Sequence, residues 1–315
     1  MLNSVAINQK NTCMAIGTNI GYRIISLKSL KTLTDQNLRQ SVKHIAMYYS
    51  TNIILYVTDG QPNILRLYDD FKKKEEDCLE FPQTIKKLIV RLDNLFVYTL
   101  GSRLFVINLY TFEERQEVKG IDYFIDFCLE VPVKNERYIG WNAKNSGDLR
   151  LYDMIAQSTT HFRLHGHDLK LFCFDRNGTK VASLAKGTLL KVTDLETGDK
   201  REFWLNYSDV NISDMVFSYS ASYIAVIENA GAIKVLNLTT DTEQTQTSKG
   251  FLSKVFKENV FISTTSQLQN SKIVFGVDED DLYVYSVNNT VARFKLNYDK
   301  RSILLEDEKI MIPPV

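Results

Sequence analysis

The residues of this sequence best suited to hold a metal or move a proton are His161, His165 and His167, three of its four histidines. On an extended strand His165 and His167 share a face, and neutral imidazole is a common metal ligand. No cysteine or carboxylate joins them at a spacing familiar from zinc sites, so no metal is expected. Asp278-Glu279-Asp280-Asp281 lacks the alternation and the distal glutamate of a calcium loop and reads as a solvated turn. The sequence contains no GxSxG, HExxH, GxxxxGKS/T or GxGxxG. Neither an enzyme nor a bound cofactor is therefore expected.

Charge narrows the partners. The 315 residues carry 38 basic and 38 acidic side chains, without the basic footprint of a nucleic-acid-binding domain. Lys72-Lys73-Lys74 is cancelled at once by Glu75-Glu76-Asp77, as in a solvated loop. Cys13, Cys78, Cys128 and Cys173 form no CxxC pair, and three of them sit in apolar runs, where a free cysteine acts as a small buried hydrophobe. The start MLNSVAINQK does not read as a signal peptide, and no apolar run approaches the length of about 20 residues that spans a bilayer. A cytoplasmic protein with reduced thiols is the expectation.

Something must position these side chains, and a repeat supplies it. Alternating apolar segments recur as GYRIISL (21–27), ILRLYDD (64–70), RLFVINL (103–109), DLRLYDM (148–154), LLKVTDL (189–195), AIKVLNL (232–238) and DLYVYSV (281–287). Their aligned residues Ile24, Leu67, Val106, Leu151, Val192, Val235 and Val284 are separated by 43, 39, 45, 41, 43 and 49 residues. A blade of a WD-repeat propeller is about 40–45 residues of four strands, and propellers hold about 4–8 blades. The spacing predicts an all-β, seven-bladed β-propeller filling residues 1–315 as one domain.

The fifth unit is the clearest. Leu169–Phe174 reads as a strand, Asn177-Gly178 as a type I′ turn, and Thr179–Leu184 as the hairpin partner. Lys186-Gly187 turns into Thr188–Asp194, and Thr197-Gly198-Asp199 turns into a last strand through Phe203. Gly166-His167 and Thr193-Asp194 stand near where Gly-His and Trp-Asp signatures would. An open ring would leave sheet edges exposed, so Ser4–Asn8 is expected to close it by joining the C-terminal strands Leu282–Val287 and Ala292–Leu296.

The segment INQKNTCMAIGTNIGYRI (7–24), then STNIILYV (50–57), LRLYDD (65–70) and LHGHDLKLFCFDRNGTKVASLAKGTLLKV (164–192), resemble in order the sequences of the autophagy PROPPIN family, whose fold is a seven-bladed propeller. That family carries Phe/Leu-Arg-Arg-Gly after its fifth blade, with the two arginines in two pockets for phosphatidylinositol 3-phosphate or the 3,5-bisphosphate. The resemblance sets FWLNYSDVNISDMVFS (203–218) on this motif: Phe203 is kept, Trp204 and Leu205 replace the arginines, and Asn206 replaces the glycine. A guanidinium grips phosphate through a planar donor fork, which neither replacement offers.

The resemblance implies further decay around both pockets. In the first, a family serine falls on Leu184, while His165, Thr188 and Lys191 keep related chemistry, with Lys186 or Arg201 as further donors. In the second, Asp209, Glu228, Ala232 and Lys234 stand for arginine, serine, threonine and histidine. The family's membrane-inserting loop corresponds to Lys257–Ser271, short and mostly polar, where Phe261 and Ile262 are either a strand end or a residual membrane contact. Trp204-Leu205 is either core packing or an exposed apolar patch for a partner or membrane.

Family likeness of this kind implies a non-enzymatic scaffold of autophagy or endolysosomal traffic, monomeric by itself and peripheral on autophagic or endosomal membranes. Its phosphoinositide binding is expected to be weak or lost. Gln61, Pro62 and Asn63 lie where family members contact protein partners such as an autophagy lipid-transfer protein, although Pro62 is equally a plain turn residue. Two alternatives stand beside this: a working 3-phosphoinositide effector using the first pocket, and a WD-repeat adaptor unrelated to autophagy.

Overall fold

The structure is a computed structural model that describes residues 2–121, 127–185, 189–205, 211–239, 260–266, 268–269, 271–286 and 289–311. It is a seven-bladed β-propeller: seven antiparallel sheets of four strands, each built from strands consecutive in sequence, over 2–37, 42–80, 85–119, 129–163, 169–204, 212–265 and 271–310. We call these blades one to seven.

Burial explains the composition of the strands. The second strand of each blade lies inside its sheet and is covered on both faces by neighbouring blades, so Ile53–Thr58 (IILYVT) and Asn94–Thr99 (NLFVYT) read as apolar runs. The fourth strand is outermost and meets water, so Lys74–Glu80 (KEEDCLE) and Ser158–Arg163 (STTHFR) are polar and mostly exposed. Apolar clusters fill the gaps between adjacent blades all round the ring.

The repeat holds with one displacement. Ile24, Leu67, Val106, Leu151, Val192 and Val235 all lie on third strands, opposite Ala15, Leu55, Phe96, Gly140, Ala182 and Ala225 of the second strands. Val284 instead lies on the second strand of blade seven, and its partner Ala292 is the true equivalent. The cause is the long stretch of sequence between the third strand of blade six (Ala232–Asn237) and the fourth (Val260–Thr265), which pushes the next third strand beyond the usual period.

Closure also differs from expectation. Ser4–Ile7 belong to the first strand of blade one (Leu2–Ile7), paired with Cys13–Thr18, and not to the last sheet. The ring closes by face packing instead: Met14, Ile16, Ile25, Leu27 and Leu30 of blade one bury against Val274, Tyr283, Val291 and Met311. Polar links rivet this seam, with Arg23 donating to the Met311 carbonyl at 3.0 Å and Asn11 to that of Phe275 at 2.9 Å. Burying one such side chain contributes about 1.5–3 kcal/mol, enough to hold two sheets together without strand exchange.

The turn at Asn177-Gly178 is not of the I′ kind. Gly178 alone of the pair has positive φ, 74°, and its N–H closes a turn onto the Asp175 carbonyl at 3.2 Å. The Asp175 carboxylate then accepts from the Lys180 N–H at 2.7 Å. A Cβ at Gly178 would lie 2.7 Å from the Pro132 ring, so packing as well as backbone conformation keeps this residue a glycine.

Candidate phosphate-binding grooves beside the fifth blade

The strands of blade five bring together part of the first expected pocket. Ser183 on the second strand (Lys180–Ala185) lies opposite Lys191 on the third (Leu189–Asp194), and Lys191 lies opposite Glu202 on the fourth (Lys200–Trp204). Directly opposed residues share a face, so these three form one rank across the sheet. His165, from the connection out of blade four, completes it with its Nε2 2.9 Å from Ser183 Oγ.

The rank is turned inward on itself. His165 is buried, and that burial, assisted by the Lys191 charge, holds its pKa down at about 4. Near neutral pH its ring is uncharged and offers an anion no net positive charge. Lys191 Nζ sits 2.8 Å from Glu202 Oε1. A phosphate entering here must displace that carboxylate. Partly exposed ion pairs are worth only about 0–1 kcal/mol, so the pair is a modest barrier.

Ser183 and Glu202 carry no signal in the sequence alone. The family resemblance sets the expected serine on Leu184, which is buried in the core between blades four, five and six. Thr188, Lys186, Asn206 and Asp209 lie outside the described residues. Arg201 packs its guanidinium over the Phe203 ring, 5.4 Å from the centroid, and donates to the Leu238 carbonyl of blade six.

The second groove, between blades five and six, likewise holds an ion pair of its own. Lys234 Nζ donates to the Leu205 carbonyl at 2.9 Å and lies 2.7 Å from Glu228 Oε1. Both side chains of this ion pair are largely buried, at 12% and 13% exposure. Lys234, which the resemblance sets on a family histidine, is therefore neutralised by Glu228, which it sets on a family serine.

The two residues that the resemblance sets on the motif's arginines part company. Phe203 and Leu205 are buried in the core shared by blades four, five and six, whereas Trp204 is 42% exposed. The backbones of Phe261 and Ile262 lie in the fourth strand of blade six, where Ile262 pairs with Val235. Gln61, Pro62 and Asn63 open the third strand of blade two (Gln61–Asp69), just where the register shifts between Tyr56 and Thr58. Such an irregularity tolerates a proline, which has no N–H for the ladder. Asn63 Nδ2 donates to Glu80 Oε1 at 3.2 Å and to the Phe81 carbonyl at 3.3 Å.

No group of three or more histidine, cysteine or carboxylate side chains that could hold a metal occurs among the described residues. The four cysteines are free thiols, with Cys78 exposed and Cys13, Cys128 and Cys173 half-buried. Within the described residues no helix is long and apolar enough to cross a membrane.

A sequence profile described as PROPPIN matches residues 1–271. SVP1-like protein 2 of Schizosaccharomyces pombe is 24% identical over 255 residues, covering 75% of this chain and 68% of its own. WD repeat domain phosphoinositide-interacting protein 1 of Homo sapiens is 24% identical over 277 residues, covering 81% of this chain and 60% of its own. The chain thus spans 60% to 68% of the length of these two relatives. Kluyveromyces lactis Hsv2 superposes with a TM-score of 0.81 at 18% identity, covering 99% of each chain. The complex of KlAtg21 with the coiled coil of AgAtg16 gives 0.79 at 15%, again covering 99% of each chain. At those identities the structural likeness concerns the fold. The profile match is a likeness of sequence, which sets aside an adaptor that resembles the family by fold alone.

Proposed function

The chain belongs to the PROPPIN family, and from that premise we propose that it is a non-enzymatic scaffold of autophagy or endolysosomal membrane traffic whose own grip on phosphoinositides is weakened or lost. One observation carries the reading: where the family motif places two arginines, this chain has an exposed Trp204 and a buried Leu205. Hydrogen bonds to charged groups contribute about 1.5–3 kcal/mol each, and about 1.4 kcal/mol is tenfold in affinity. Losing the arginine weakens each groove by about an order of magnitude or more.

Protein contacts then supply recruitment. A PROPPIN-fold neighbour is seen with a coiled coil, which supports protein partners as a class. The proposal takes residues 1–315 as one propeller, monomeric by itself and peripheral on autophagic or endosomal membranes, with Gln61–Asn63 as a contact for a lipid-transfer protein. A tagged protein still reaching its membrane when 3-phosphoinositide synthesis is blocked supports the scaffold. Complete loss of recruitment under that block replaces it with a lipid effector.

A lipid effector is the second reading. It is favoured by the way Ser183, His165 and Lys191 converge on one rank, leaving a single exchangeable cation for one phosphate. It requires vesicle binding that His165→Ala or Lys191→Ala abolishes.

A further inference from the structure

An axial cavity of about 930 Å³ runs through the ring, walled by first strands of six blades. Its volume is in the range of small-molecule sites, about 300–1,000 Å³. The charges on its wall are unbalanced. Among the described lining residues Lys87, Arg91, Lys170 and Lys272 are cationic, against only Glu130 and Asp214.

Both carboxylates are already engaged. Glu130 serves two cations, 3.2 Å from Lys87 Nζ and 3.9 Å from Arg91. Asp214 lies 3.4 Å from Lys272 Nζ and accepts from the Ile273 N–H at 3.0 Å. Lys272 keeps 51% of its side chain accessible to water inside the cavity. Burial lowers the pKa of Arg91 and raises that of Asp214, so these two groups sit in poorly solvated space, where fields are strong.

We propose that this axial cavity binds a small, soluble, multiply charged phosphate compound, held by Lys87, Lys170, Lys272 and Arg91. A monoanion gains little against two resident carboxylates, whereas a polyphosphate can satisfy several cations at once. Ammonium and guanidinium groups are the side chains suited to such an ion. The proposal stands apart from the lipid grooves beside blade five, which lie on the outer parts of the sheets.

Titration of the full chain with inorganic pyrophosphate, followed by calorimetry at physiological salt, tests it. One-to-one binding is expected, weakened about tenfold by Lys87→Gln. Asp214→Asn should tighten it severalfold, because the amide oxygen keeps the bond from Ile273 while one opposing charge is removed. A misfolded variant cannot produce that opposite shift. No saturable binding to either the natural chain or Asp214→Asn overturns the proposal, as does equal affinity in all three proteins. Displacement of pyrophosphate by vesicles carrying phosphatidylinositol 3-phosphate also overturns it, because that outcome puts the anion in an outer groove.

Discussion

Trp204 and Leu205 are neighbours in sequence with opposite surroundings: the indole is 42% exposed at the end of the outer strand of blade five, while the leucine is wholly buried in the core shared with blade six. The two positions that the resemblance sets on the family motif's arginines thus differ in their surroundings. One has become a surface aromatic, and the other part of the hydrophobic interior.

The two tryptophans of the chain should report this directly. Trp141 is 4% exposed and Trp204 is 42% exposed. Acrylamide quenching is expected to resolve one accessible and one protected emitter, and Trp204→Phe should remove the accessible one. Two equally protected tryptophans would contradict the placement of Trp204.

Restoring arginine should be tolerated at one position and not the other. Trp204→Arg is expected to change stability by less than about 1 kcal/mol, as surface substitutions do. Leu205→Arg buries an unpaired guanidinium and should cost about 3 kcal/mol or more. Urea unfolding of both variants makes the comparison, and equal midpoints would show that Leu205 is not core.

Much of this is legible in the sequence, for identifiable reasons. The third strands of six blades share one apolar pattern because each meets neighbouring sheets in the same way. The seventh unit falls one strand early, since DLYVYS (281–286), on the second strand of blade seven, has the same alternation as a third strand. Ser183 escapes notice because neighbouring residues of a strand face opposite ways, and only the folded sheet shows that Ser183 shares a rank with Lys191 while Leu184 packs in the core. The environments of Trp204 and Leu205 depend on where the outer strand ends against blade six, which local pattern does not encode. Closure by packing likewise rests on Met311 meeting Leu27 and Leu30 across almost the whole chain length.

Met311 gives a test of that closure. Its side chain is 1% exposed in the seam between the last and first blades. Met311→Ala should destabilise the fold by about 2–5 kcal/mol, lowering the urea midpoint. An unchanged midpoint would mean that the seam contributes little to holding the ring.

Acid should loosen blade five through His165. Its folded pKa of about 4 lies below the ordinary 6.5, so the unfolded chain takes up a proton that the folded one refuses. The stability this histidine contributes is complete above pH 6.5 and is lost as pH falls towards 4, at about 1.4 kcal/mol per pH unit within that window. His44, also held near 4 chiefly by burial, acts in the same direction. His165→Gln should flatten the fall in melting temperature between those pH values. An identical slope in the variant would contradict a buried, neutral His165.

The proposed function requires that the groove beside blade five, with an exposed Trp204, an ion-paired Lys191 and a neutral His165, does not hold a phosphorylated inositol headgroup firmly. Flotation of the purified chain with vesicles containing phosphatidylinositol 3-phosphate, at physiological salt, addresses it most directly. The expected result is no more protein on these vesicles than on matched vesicles lacking the lipid, with Trp204→Arg raising the bound fraction through an affinity gain of about tenfold. Tight, lipid-dependent binding by the natural chain, abolished by Lys191→Ala, would contradict it.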